Sequence, residues 1–147
     1  VPVINAAGLA LIESFEGLSL TAYPDPGTGG DPWTIGYGHT GPDVHKGLTI
    51  TKEYAQVLLA KDCVTAEKRV ASLIQITLTP NQFSALVSFE FNTGALGSSP
   101  ALALINQHQG ADAWENHLCL YVHGGNGEVL EGLVRRRAAE YALWNTH

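Results

Sequence analysis

Apolar residues Leu9, Ile12 and Phe15 recur at helical spacing after Asn5, and the run meets Gly17. Asn is a favoured N-cap and Gly a favoured stop, so the pattern predicts a helix from Asn5 to Glu16. From Leu18 to Thr40 the period shortens. "LTAY" and "WTIGYG" read as strands of a small sheet, and "PDPGTGGDP" between them reads as turn. Helical spacing resumes with Tyr54, Val57, Leu58, Val70, Leu73 and Ile74, so Thr51 is expected to cap one long helix to about Ile74. "TPNQ", Thr79 to Gln82, has the form of a capping box with Pro at the first helical position. Phe83, Leu86, Val87 and Phe91 supply the apolar face behind it. Further helices are expected from Pro100 to near Gly110, from about Ala111 to Tyr121, and through "GLVRRRAAEYALW", with "HGGNGE" as a loop.

These elements predict an α+β fold, mostly helical, with a short antiparallel sheet in a small N-terminal lobe. No repeat, low-complexity tract or linker interrupts the 147 residues, so we read residues 1–147 as a single domain. Its parts are a small lobe over about 14–50, a connecting helix over about 51–75, and a helical lobe over about 76–147 joined by the N-terminal helix.

Charge narrows the candidate partners. A net charge of −6 disfavours nucleic acid and anionic membranes, which both select for clustered Lys and Arg. No apolar run approaches the roughly 20 residues of a membrane span, so the chain reads as soluble. It contains no Met and begins at Val1, compatible with removal of an initiator or a longer leader. Residues 1 to 45 carry five acids (Glu13, Glu16, Asp25, Asp31, Asp43) and no Lys or Arg. Arg135, Arg136 and Arg137 stand together near the other end, as a solvated helix face or as a source of one Arg beside the acidic stretch. Cys63 and Cys119 permit one disulfide, but in helical patterns a free thiol is the commoner state.

The acidic stretch suggests chemistry on a neutral group. Glycosidic hydrolysis needs one protonated carboxyl for the leaving oxygen and one carboxylate on the other face. Glu16 falls in the last turn of a predicted helix, where the dipole disfavours negative charge, and this suits the acid. Asp25, nine positions on in an exposed turn, suits the group that orients and deprotonates water, and the Thr34 hydroxyl can hold the same water. Such a spacing alone is weak evidence. Gly36 and Gly38 alternate along the second strand and leave room for close approach. His108, His117 and His123 with Asp112 and Glu115 lack the spacing of a metal motif and read as surface polar residues. Trp33, Tyr37, Phe91 and Trp114 could stack on sugars or fill the core, with Trp33 the best placed for a sugar.

"FEGLSLTAYPD" followed by "WTIGYGHT" resembles the N-terminal lobe of phage-type lysozymes, glycoside hydrolase family 24. "LTPNQFSALVSFEFNTGALGSS" and "GLVRRRAAEYALW" are similar to segments of that family's helical lobe, so the resemblance covers nearly the whole chain. It implies a cofactor-free muramidase that cleaves the β-1,4 bond between N-acetylmuramic acid and N-acetylglucosamine in peptidoglycan, with inversion. By the same resemblance Glu16 is the general acid, Asp25 the second carboxylate and Thr34 the hydroxyl. The implied sugar contacts are Trp33, Tyr37 and His39, with His39 also read as a structural hydrogen-bonding group. One departure stands out. Eight residues, "PGTGGDPW", separate Asp25 from Thr34 where the commoner family pattern has five. This raises Asp31 as a competitor, although the intact spacing from Glu16 favours Asp25.

The resemblance further implies peptidoglycan as partner, no metal, and a monomer. A phage endolysin would sit in the host cytoplasm before release to the wall; a cellular homologue would be secreted. Two other readings compete: a wall-binding module without chemistry, and a lytic transglycosylase, which makes an anhydro sugar end. Retention of Glu16, Asp25 and Thr34 together speaks against the first, and retention of Asp25 and Thr34 favours water as acceptor over the second.

Overall fold

The structure is a computed structural model, and it describes residues 2–147. Its described residues divide into two compact units. Ile12–Cys63 forms one; the N-terminal stretch through Leu11 together with Val64–His147 forms the other. The first helix, α1 (Ala6–Glu16), begins in the second unit and ends in the first. Asn5 starts it as expected, its Oδ1 accepting the Gly8 N–H at 2.9 Å. Gly17, at φ +71°, ends it.

In the unit of Ile12–Cys63, three strands form an antiparallel sheet in the order β1 (Ser19–Tyr23), β2 (Thr34–Gly36), β3 (His39–Thr40). The register sets Tyr23 opposite Thr34, with an irregularity between there and the Ser19–Gly36 pair. Thr34 pairs with Thr40 on its other side, and Ile35 with His39. "WTIGYG" is therefore not one strand. Gly36 and Gly38 take φ values of +67° and +88°, and the backbone reverses through Tyr37–Gly38 into β3. The strand spacing was satisfied locally, but two left-handed glycines make a turn.

Alternation on the sheet sends Ala22 and Ile35 inward, onto Val44 and Leu58, with Trp33, Leu48 and Ile50 packed around them. Leu58 comes from α2 (Lys52–Asp62), capped by Thr51, whose Oγ1 accepts the Tyr54 N–H at 3.1 Å. A Cβ on Gly36 would lie 3.4 Å from the Ala55 Cβ, so β2 and α2 come close because glycine stands there.

The expected single helix to Ile74 is interrupted. α2 ends at Asp62 and α3 runs Val64–Leu73. Cys63 between them keeps right-handed helical angles (φ −75°, ψ −14°), so the interruption is confined to one residue. No Gly or Pro marks it, and the apolar stripe runs through it.

The helical unit is built on α4 (Pro80–Thr93), buried on all sides from Phe83 to Glu90. The capping box at its start is present on both sides, Gln82 N–H to Thr79 Oγ1 at 3.1 Å and Thr79 N–H to Gln82 Oε1 at 3.0 Å. Gly94 closes it at φ +62°. Helices α3 and α7 (Glu131–Trp144) pack on α4. Trp114 is fully buried, edge-on to Phe89 and stacked on Tyr141. Burial of such a side chain contributes about 1.5–3 kcal/mol. Both chain ends meet the start of α4. Asn5 Nδ2 donates to Asn81 Oδ1, and Asn81 Nδ2 donates to the Thr146 carbonyl.

Two expected helices are shorter. α5 covers Ala101–Asn106; α6 covers Gly110–Asn116 and tightens into a 3-10 turn at Leu118–Leu120. Cys63 and Cys119 are free thiols, the first buried and the second partly so. Arg136 and Arg137 are not a solvated face. They are 3% and 1% exposed around the fully buried Glu140. Glu140 Oε2 accepts from Ser88 Oγ at 2.6 Å, Arg137 approaches Oε1 at 3.0 Å, and Arg137 also lies 5.0 Å above the Phe89 ring. Burial raises the Glu140 pKa and lowers that of Arg137, each shift opposed by the other's charge.

Candidate active site

The unit of Ile12–Cys63 holds Glu16, Asp25, Thr34, Trp33, Tyr37 and His39. Glu16 is the last residue of α1 and is half-buried. Its Oε1 lies 3.7 Å from where a Cβ on Gly38 would sit, so the β2–β3 turn faces the carboxyl through its glycine.

Asp25 follows β1 by two residues and organises the long turn. Its Oδ2 accepts the N–H groups of Gly27 and Thr28 at 3.0 and 3.1 Å, an Asx-type turn. Its backbone closes the same loop, N–H to the Gly30 carbonyl at 2.9 Å and carbonyl from the Gly29 N–H at 2.8 Å. The Thr28 hydroxyl then donates to the Asp31 carbonyl at 2.7 Å. The additional residues thus fold back onto Asp25. Asp31 is exposed, and the loop uses its carbonyl, just before the cis Asp31–Pro32 peptide.

Thr34 occupies the middle strand, opposite Tyr23, so the register carries it to within two residues of Asp25 across the sheet. Trp33, beside it, is half-buried against the sheet's core cluster. Tyr37 is 6% exposed. Its phenol meets the Glu13 carboxylate, and burial together with that carboxylate raises its pKa. Glu13 Oε1 also accepts from Gln56 Nε2 of α2 at 3.0 Å. His39 is held at both nitrogens, Nδ1 to Asp62 at 2.8 Å and Nε2 to Asp43 at 3.0 Å. Burial opposes its charge, but the hydrogen bonds to Asp62 and Asp43 outweigh it and raise the His39 pKa. The same contact lowers the pKa of Asp43.

Gln56 and Asp62 were not noted in the sequence, and Glu13 and Asp43 were counted among the N-terminal acids without a role. Glu13 stands three positions before Glu16 and Asp43 four after His39, so both were within reach of a spacing argument. Asp62 and Gln56 were not, because their contacts span 23 and 43 residues.

The helical unit has a separate hollow of about 620 Å³, bordered by Asn92, Thr93, Ser99, His117, Tyr121 and His123. Among the described residues no three His, Cys, Asp or Glu come together as a metal site. Among them, too, no helix is long and apolar enough to cross a membrane.

The sequence profile described as phage lysozyme matches residues 13–140, a span that includes all six residues. The chain is 41% identical over 145 residues to an endolysin of Bacillus phage PZA, covering 97% of this chain and 55% of that protein. It spans about half the length of the two Bacillus phage endolysins it matches. The endolysin of Salmonella phage P22 is 35% identical, with 96% of this chain and 97% of that protein covered. Among solved structures, the muramidase domain of SpmX from Asticaccaulis excentricus superposes with a TM-score of 0.86 at 39% identity, both chains fully covered. P22 lysozyme superposes with a TM-score of 0.85 at 32% identity, over 99% of this chain and 100% of that one. On sequence and fold together, the chain belongs to the phage lysozyme family.

Proposed function

We propose that the protein is a muramidase that hydrolyses the β-1,4 bond between N-acetylmuramic acid and N-acetylglucosamine in peptidoglycan, with inversion at the anomeric carbon. The observation that carries this reading is the sheet register. It sets Thr34 opposite Tyr23, two residues from an Asp25 whose carboxylate is fixed by its own loop, in the unit where Glu16 ends α1.

In this reading Glu16 donates its proton to the leaving glycosidic oxygen as the bond to the anomeric carbon breaks. A water attacks that carbon from the opposite face, and Asp25 accepts its proton. Asp25 Oδ2 accepts from Gly27 and Thr28, and in this reading the carboxylate's other oxygen takes the proton of the water. The Thr34 hydroxyl holds the same water. Asp25 is preferred to Asp31 because the loop turns on its side chain, whereas Asp31 contributes its carbonyl. Trp33, half-buried beside Thr34, supplies a sugar contact in this reading. His39, fixed between two carboxylates, shapes the sheet edge beside the substrate.

Digestion of purified peptidoglycan followed by product mass analysis tests the reaction. The expected products are hydrated muropeptides with new reducing ends, formed first as the inverted anomer. Anhydro ends would replace hydrolysis with intramolecular transfer, and wall binding without any released fragment would remove the enzymatic reading altogether.

A further inference from the structure

We infer that Glu13 is a positioning residue for the general acid, held by Tyr37 and Gln56, an inference that rests on the muramidase reading of Glu16. Glu13 lies one helical turn before Glu16 on α1, about 4.5 Å back along the axis. Two elements outside α1 grip it. Gln56 of α2 donates to Oε1 at 3.0 Å, and the Tyr37 phenol, on the turn between β2 and β3, lies close enough to the Glu13 carboxylate for that charge to raise its pKa. The next residue of that turn is Gly38, the one facing Glu16 Oε1. A single two-residue turn therefore borders both carboxylates of α1, Tyr37 beside Glu13 and Gly38 facing Glu16 where a side chain is missing.

Tyr37 is 6% exposed, so its ring is packed among its neighbours rather than free in solvent. Across the sheet, His39 is tied to Asp62, so α2 holds the hairpin by its far end as well as α1 by Gln56. Loosening Glu13 would let the last turn of α1 move relative to Gly38, carrying Glu16 with it. General acid catalysis is steep in such displacements, and about 1 Å can cost on the order of 100-fold in rate. This assignment gives Tyr37 a role through Glu13, in keeping with its small exposed surface, in place of a direct sugar contact.

The ordinary alternative is that the cluster only stabilises the fold, and kinetics separate the two. Glu13→Ala, Glu13→Gln, Tyr37→Phe and the double variant Glu13→Ala/Tyr37→Phe would be compared for Tm, kcat and KM on solubilised peptidoglycan. Asn5→Ala, which removes the α1 cap outside the cluster, serves as the stability control. The expected result is a kcat about tenfold lower in Glu13→Ala with little change in KM. Glu13→Gln, which keeps an acceptor, should recover most of that loss. The double variant should be no slower than Glu13→Ala, and Asn5→Ala should lower Tm without touching kcat. A Glu13→Ala enzyme that is folded and retains wild-type kcat overturns the inference. Glu16→Gln in the same series keeps the two failures apart. If it still turns over, the acid assignment falls; if it is dead while Glu13→Ala is fully active, only the positioning role falls.

Discussion

At the residue scale, His39 shows how little of a side chain's role its own position reveals. "GYGHT" offered it both as a sugar contact and as a structural hydrogen-bonding group, and its ring bridges Asp62 and Asp43, one partner local and one from the end of α2. The linkage has a definite sign. A histidine whose pKa is raised by folding stabilises fully below its unfolded value and loses that contribution as pH rises through the folded one. Asp43, whose pKa is lowered, acts in the opposite sense and loses its contribution as pH falls through its folded value. The contact is therefore strongest in mildly acid solution. His39→Asn should lower the urea midpoint more at about pH 5.5 than at about pH 8.5. An equal loss at both pH values would show that the imidazolium contributes nothing.

At the element scale, caps were the most legible features and breaks and turns the least. Asn5, Thr51 and the Thr79–Gln82 box each announced a helix start through a hydrogen bond made within a few residues. The break at Cys63 and the Tyr37–Gly38 turn gave no comparable signal. The first interrupts an apolar stripe that stays in phase, and the second reuses residues that alternate like a strand. Thr79→Ala removes one side of the box while leaving Pro80 in place, so it should cost about 1 kcal/mol of stability. Because the cap lies in the helical unit, kcat should be unchanged; a thermal melt beside a rate measurement checks both. A melting point equal to wild type would mean that Pro80 and packing alone start α4.

At the scale of the whole molecule, the α+β class was readable because caps, apolar faces and strand signals follow one another along the chain, whereas the family was readable from the resemblance carried by "FEGLSLTAYPD" and "WTIGYGHT". The division at Cys63 was not readable, nor was the burial of Arg136 and Arg137, since a run of three arginines ordinarily marks a solvated face. Their place around Glu140 depends on Ser88 and Phe89 of another helix, some 50 residues away. The resemblance pointed to Asp25, and its intact spacing from Glu16 already favoured it over Asp31; what the sequence left unseen is how the loop is built. The insertion closes on the Asp25 carboxylate and backbone.

That choice between two carboxylates is the most direct test of the account. Purified peptidoglycan would be digested in parallel by wild type, Asp25→Asn and Asp31→Asn, with reducing ends counted over time. The account predicts that Asp31→Asn retains wild-type turnover while Asp25→Asn loses it with its fold intact. A dead Asp31→Asn beside an active Asp25→Asn would contradict it, and would move the water-activating group to the far end of the loop.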